Sequence, residues 1–321
     1  MRVTPVFLRG VQAGVTLVEL LVAIVLMGIV TLATISLYSA TSTSYRTVDA
    51  GQEMDDSARF ILDVVGRSIQ QAGYQEYMPR STDDRPTAGR VYPDNCDGVV
   101  FPPYCPVIGG NNAKITTIGN VDDFGTNNNG GLNASDTLGI TFAGSSKLSD
   151  ITAPDNTVVD CHGNGKATPQ MSATGNGLQN SLATMGVNVF FVRNSAAGEP
   201  ELTCLAIGTT GVRTAQPLVS GVETLQVMYG IDSDGNDVPN RWVSAQDVTN
   251  WMTVRAIRIG FVLRSARNRS QTVANADGNL FPLGQAFTGA LTETGLIFTP
   301  PPDGRLRKAY AATFNLRNRA P

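Results

Sequence analysis

The chain has 321 residues, with 24 Lys and Arg against 27 Asp and Glu, and its formal charge of −3 offers no basic excess for binding nucleic acid. It contains one histidine, His162, and four cysteines, with no CxxC pair and no Cys/His spacing suited to zinc. Little is left for acid–base or nucleophilic catalysis, no serine sits in a nucleophile turn, and the expectation is a non-enzymatic protein in which His162 is a solvated loop residue.

Met1–Gly14 is a short leader carrying Arg2, Pro5 and Arg9. From Val15 to about Leu37 there is no Lys, Arg or Pro and one acid only, Glu19, and an apolar stretch of that length crosses a bilayer as a helix. A secretory signal would have a shorter apolar core, and Ser36-Leu37-Tyr38-Ser39-Ala40 puts Tyr38 where cleavage wants a small residue. A plain anchor with its arginines on the cytoplasmic side fits the hydropathy but leaves Glu19 unexplained. An unpaired carboxylate in hydrocarbon is costly, so a partner is required, and the obvious one is a free amine.

Beyond the span, Met54, Ala58, Ile61, Val65 and Ile69 recur at spacings of three and four, with Asp55, Asp56, Arg59 and Arg67 around the rest of the cylinder. The helix is therefore expected to continue to about Ala72, with Gly73 as its stop, a rod of about 85 Å at 1.5 Å per residue. Gly28, Gly51 and Gly66 interrupt it as candidate bends or close contacts. The divisions expected are a leader at 1–14, a membrane helix at 15–37, an amphipathic spine at 38–73 and a β-rich head at 74–321.

In the head, Val254–Ser265 alternates Ile257, Ile259, Phe261 and Leu263 with Arg258, Gly260, Val262 and Arg264, the pattern of a strand with one packed face. Thr224–Ile231 and Lys308–Arg317 read likewise, and Thr137–Phe142, Val187–Arg193 and Glu201–Ile207 are shorter candidates. No helix-length apolar pattern separates the later strands, so the fold class is α+β, a long N-terminal helix packed on a mainly antiparallel sheet. Ser81–Pro106 and Asp122–Asp136 read as surface loops, and Asn133-Ala134-Ser135 matches a glycosylation pattern taken as chance. The C-terminal cations Arg305, Arg307, Lys308, Arg317 and Arg319 are expected on a solvated or subunit-contacting strand face.

All four cysteines follow the span, in what would be an oxidising compartment. Three pairings are possible; the expectation is Cys96 with Cys105, closing a short loop, and Cys161 with Cys204, tying two strands. Asp232-Ser233-Asp234-Gly235-Asn236-Asp237 places oxygens at alternating positions, as calcium prefers, with Asp232, Asp234, Asn236 and Asp237 as candidate ligands. Asp237 stands where an EF-hand needs glycine, and Val243 where it needs a bidentate glutamate, so an Asx-rich hairpin loop is the competing reading. No other cofactor is expected.

Gly14-Val15-Thr16-Leu17-Val18-Glu19, followed by Leu20-Leu21-Val22-Ala23-Ile24, resembles the class III signal of type IV prepilins and pseudopilins. The resemblance implies cleavage after Gly14 by a prepilin peptidase, N-methylation of Val15, and a role for Glu19 in assembly. Val15 replaces the phenylalanine usual there, and the helix-bending proline of major pilins is absent. Val219–Asp232, Val254–Ile259 and Ala311–Asn318 look like the PilW family of minor pilins. That resemblance implies a low-abundance subunit that joins other minor pilins near the pilus tip, primes assembly with the major pilin and carries a PilY1-type tip adhesin. It also implies an inner-membrane precursor with a periplasmic head that later reaches the pilus and cell surface. The alternatives are a J-type minor pseudopilin of a type II secretion system and, more distantly, a single-span anchored binding protein.

Overall fold

The computed structural model describes residues 14–75, 96, 105–119, 123–168, 185–208, 211–266, 278–288 and 293–318. The chain divides into two compact units, Met1–Asp49 and Ala50–Pro321.

In the first unit, helix α1 (Leu17–Gln71, which continues into the second) carries the apolar run, and its large side chains from Leu17 to Leu37 are exposed. Apolar residues lie all around this part of the helix, as in a segment that meets lipid or other helices rather than its own fold. It is the one described helix long and apolar enough to cross a membrane.

The second unit begins where that uniform pattern gives way to a stripe. Met54, Ala58, Ile61, Val65 and Ile69 are all buried. The helix stops at Gln71, and Gly73 adopts φ +69° while its N–H donates to Thr141 O at 2.9 Å, so the left-handed exit ties the helix end to the backbone at Thr141. Of the three helix glycines, Gly66 has a steric purpose: a Cβ there would lie 2.5 Å from the Phe314 ring. Gly51 sits beside Lys308, and Gly28 has nothing within 4 Å.

The head holds two antiparallel sheets. The first, in the order β1-β2-β5-β6-β7, comprises β1 (Val107–Gly110), β2 (Thr137–Phe142), β5 (Gly186–Asn194), β6 (Pro200–Ile207) and β7 (Arg213–Ser220). The second, in the order β11-β10-β8-β9, comprises β8 (Val222–Ile231), β9 (Arg241–Val243), β10 (Val254–Arg264) and β11 (Arg307–Asn315). A small hairpin, β3 (Ser146–Lys147) with β4 (Asp150–Pro154), stands apart. The six strands expected from alternation are present to within two residues. β1, β3, β4 and β7 carried no legible pattern, and a single sheet was expected where there are two.

One core joins the helix stripe to both sheets: Ile61, Val65 and Ile69 share it with Leu138, Ile140 and Phe190 and with Val227, Tyr229, Ile257, Ile259 and Phe261. The outer faces are also covered. Phe124, Val187, Val189, Phe191, Leu205 and Ile207 cluster on the far side of the first sheet. Met228, Leu283 and Leu296 do so on the second, where the Pro282 carbonyl crosses so close over Gly260 that no Cβ would fit. β10 is thus buried on both faces rather than one, because a segment distant in sequence lies over it.

Candidate functional site

Gly14, Val15 and Thr16 precede α1, and the Val15 side chain is 73% exposed. Thr16 caps the helix: Glu19 N donates to Thr16 Oγ1 at 3.3 Å, while Glu19 Oε2 accepts from Thr16 N at 2.9 Å and Thr16 Oγ1 at 3.1 Å. This reciprocal arrangement is a capping box, which satisfies N–H groups that a helix start leaves unpaired. The T-x-x-E spacing signals it in the sequence, where Glu19 reads only as an acid in search of an amine. The carboxylate meets no cation among the described residues, and the leader's arginines at positions 2 and 9 lie outside them.

The head compensates its acids internally. Arg307 donates from Nε and Nη2 to Glu223 at 2.7 and 2.9 Å, and from Nη1 and Nη2 to Asp303 at 2.7 Å each. Arg305 takes both oxygens of Glu199 at 3.0 Å, and Arg264 bridges Glu199 and Glu223, the latter at 2.9 Å. Arg305 and Arg307 are buried, which corrects the expectation of a solvated cationic face; Arg317 is exposed, and residue 319 lies outside the described residues. Alternation along β11 could not reveal that Glu199 and Glu223 converge there from the two sheets. Arg305 holds the Glu199 carboxyl down to about 2, and Arg307 does the same for Asp303, each against a smaller cost of burial. Burial works against the Arg307 charge, but Asp303 and Glu223 outweigh it and raise its pKa.

A second ionic contact ties the helix stripe to β11. Lys308 Nζ lies 3.0 and 3.1 Å from the Asp55 oxygens, and Tyr310 OH donates to Asp55 at 2.6 Å. Tyr310 and then Lys308 hold the Asp55 carboxyl below its ordinary value.

Asp136 was missed altogether. It is buried, accepts N–H from Asn112 at 2.9 Å and from Val227 at 2.8 Å, and thereby links the Asn-rich loop to β8. Burial, with the Glu293 charge adding to it, pushes its carboxyl up to about 8 against those two bonds. Nothing in a lone Asp before a strand announces this in the sequence.

The structure joins Cys96 to Cys105 and Cys161 to Cys204, with Cα separations of 5.8 and 6.5 Å. The Cys161–Cys204 bond lies in a braced loop: Asp160 accepts N–H from His162 and Asn164 at 2.9 Å and pairs with buried Lys166 at 3.3 Å. Lys166 in turn donates to Ile207 O. His162 is half-buried rather than solvated, its Nε2 3.1 Å from Cys204 O. Asn133, of the glycosylation pattern, donates its side-chain N–H to Glu223 O at 2.8 Å.

The Asp232–Asp237 loop forms the turn between β8 and β9. Asp232 accepts N–H from Gly235 at 2.7 Å and Asp237 at 2.8 Å, and Asn236 Nδ2 donates to Asp234 at 3.0 Å. Arg255 Nη2 lies 3.1 Å from Asp237 and 3.7 Å from Asp232, so a cation from this chain already faces two of the four proposed calcium ligands.

The family model described as type IV pilus-assembly protein W matches residues 189–318, and the prokaryotic N-terminal methylation motif matches residues 9–35. The two matches together support a type IV pilus minor pilin, with the PilW likeness confined to residues 189–318. The PilW match runs from β5 to the end of β11 and takes in the Glu199–Glu223–Arg264–Arg305–Arg307 network, while the motif spans the capping box and the first turns of α1. No curated protein matches the chain. Among solved structures, a type IV-like pilin from Thermus thermophilus aligns with 11% identity and a TM-score of 0.37, over 83% of this chain and 96% of that one. These matches point to a structural pilus component, and the exposed apolar helix fits a membrane-anchored pilin.

Proposed function

We propose that this chain is a minor pilin that joins other minor pilins in a complex at or near the pilus tip, priming assembly of the major pilin and presenting a PilY1-type adhesin. The observation that carries this reading is the cleavage-and-methylation signal running without interruption into a helix whose apolar side chains find no partner in their own unit. Such a surface is stable in two settings, lipid before assembly and a bundle of like helices after it. Prepilin peptidase cuts after Gly14 and frees the Val15 amine in the inner membrane. That amine, or its counterpart on a neighbouring subunit, then supplies the cation that Glu19 lacks. The head of about 250 residues is large for a subunit that must tile a shaft, which favours a terminal place with one side unburied.

Mass spectrometry of the mature protein tests the first step: the expected N-terminus is N-methyl-Val15. Retention of Met1 would refute the filament reading and leave an anchored periplasmic protein.

A further inference from the structure

We infer that the outer edge of β11 is a docking site for an extended strand of another, non-identical subunit, which lengthens the four-stranded sheet by main-chain pairing. The inference rests on the filament reading above. β10 and β11 pair without a shift from Ala256–Asn315 to Arg264–Arg307. Just beyond the two ends of that ladder, Ser265 N donates to Leu306 O at 2.8 Å and Leu316 N to Arg255 O at 2.9 Å. Antiparallel alternation then assigns the backbone groups of residues 308, 310, 312 and 314 to β10 and turns those of Ala309, Ala311, Thr313 and Asn315 outward. All four outward-turned residues are exposed, and three of them have small side chains that leave the edge open.

The other sheet edges are poor templates. β7 carries Pro217, which has no N–H, beside a register shift; β9 has three residues and β1 four. β11 alone among the described strands offers a long run of edge, from Lys308 to Asn315, without proline or a bulge.

A second copy is a poor occupant. Successive contacts of α1 with this end of the chain, Gly51 and Asp55 with Lys308, Asp55 with Tyr310, Gly66 beside Phe314 and Gln70 with Asn318, show the two elements running in the same direction. Antiparallel pairing of β11 with β11 would therefore set the two helix segments from Ala50 onward in opposite directions, which subunits of one filament do not adopt. Parallel self-pairing through the same outward groups sets each residue one position out of register with its copy and so turns the two helix-bearing faces to opposite sides of the joined sheet. The occupant that fits is a heterologous strand with small or β-branched side chains and a carboxylate opposite Arg317.

The test uses tagged full-length chain, expressed in a host lacking its own copy and recovered in sheared pili. Ala311→Pro removes an outward N–H that has no partner among the described residues, and Ala311→Lys charges the edge while keeping the backbone. Both are expected to leave the melting temperature of the detergent-solubilised chain unchanged and to lower its amount in pili about tenfold, a loss that the weaker of two single-edge disruptions can supply at ~1.4 kcal/mol. Amide exchange at Ala309, Ala311 and Thr313 is expected to slow in the pilus fraction relative to the free chain. Wild type in pili with both variants equally abundant, or with unprotected edge amides, overturns the docking site alone. Wild type absent from pili overturns the filament reading and this inference with it.

Discussion

Two parts of one molecule treat acids in opposite ways. In the apolar part of α1 the carboxylate of Glu19 is held, among the described residues, only by its own capping residue, Thr16, whereas in the second unit Glu199, Glu223, Asp303, Asp55 and Asp232 each face an arginine or lysine of the same chain. The same division holds for apolar surface: Leu26 and Ile29 are exposed, while Ile61 and Ile69, farther along the same helix, are buried. The contrast teaches that these five acids find their counter-charge within the chain while Glu19, among the described residues, does not.

The comparison breaks most sharply if the head's ionic network is dispensable. Arg307→Met leaves Glu223 with Arg264 alone and takes from Asp303 its nearest guanidinium, and the expected loss is about 3 kcal/mol in urea unfolding of the solubilised chain, the lower end of what breaking a buried pair costs. Replacing Arg307 and Glu223 together by apolar residues should cost less, because no buried charge is then left unpaired. Ile61→Ala is expected to destabilise the head by about 2–5 kcal/mol, while Leu26→Ala leaves its unfolding midpoint unchanged. Equal effects at the two positions would show that the membrane part of the helix contributes to the head after all.

The pH dependence sharpens the comparison within the head. Glu199 and Asp303 titrate at about 2 when folded, below their ordinary values of 4.5 and 3.8, so their contribution is full above that ordinary range and is lost as pH falls towards 2. Asp136 works in the other direction. Its folded value of about 8 lies above the ordinary 3.8, so its contribution is full below pH 4 and is lost as pH rises through 8. Urea midpoints should therefore fall at both ends, and Asp136→Asn should flatten the alkaline fall. A midpoint that climbs steadily between pH 5 and 8 would contradict the buried placement of Asp136.

Smaller effects separate the two roles of Glu19. Glutamine can still fill a capping box but carries no charge, so Glu19→Gln should keep the helix start and yet reduce recovery in sheared pili. Glu19→Ala loses both, with a helix-start cost of about 1 kcal/mol. Wild-type recovery of the Gln variant would mean that the cap, not the charge, is what assembly uses. The smallest effect expected is at Asp232–Asp237: with Arg255 supplying the counter-charge, millimolar calcium against chelator should shift the melting temperature by less than about 1 °C. A shift of several degrees would show that metal displaces Arg255 and that this loop, like Glu19, takes its cation from outside.

The sequence alone determined the features that depend on near neighbours. The uninterrupted apolar run, the three-and-four stripe from Met54 to Ile69, the Gly73 stop and the alternation in β2, β5, β6, β8, β10 and β11 are local patterns, each imposed by helix or strand geometry on residues a few positions apart. The capping box was equally local and was obscured only because Glu19 invited a more distant explanation. What the tertiary structure decided is non-local: the split into two sheets, the cover over Gly260, the burial of Asp136, and the meeting of Arg305 with Glu199 and of Arg307 with Glu223. A charged residue in an alternating strand reads as solvent-facing unless its counter-ion is near in sequence. Here Glu199 and Glu223 lie about a hundred positions away, so only folding could turn a cationic surface into a buried ionic centre and leave the far side of β11 open.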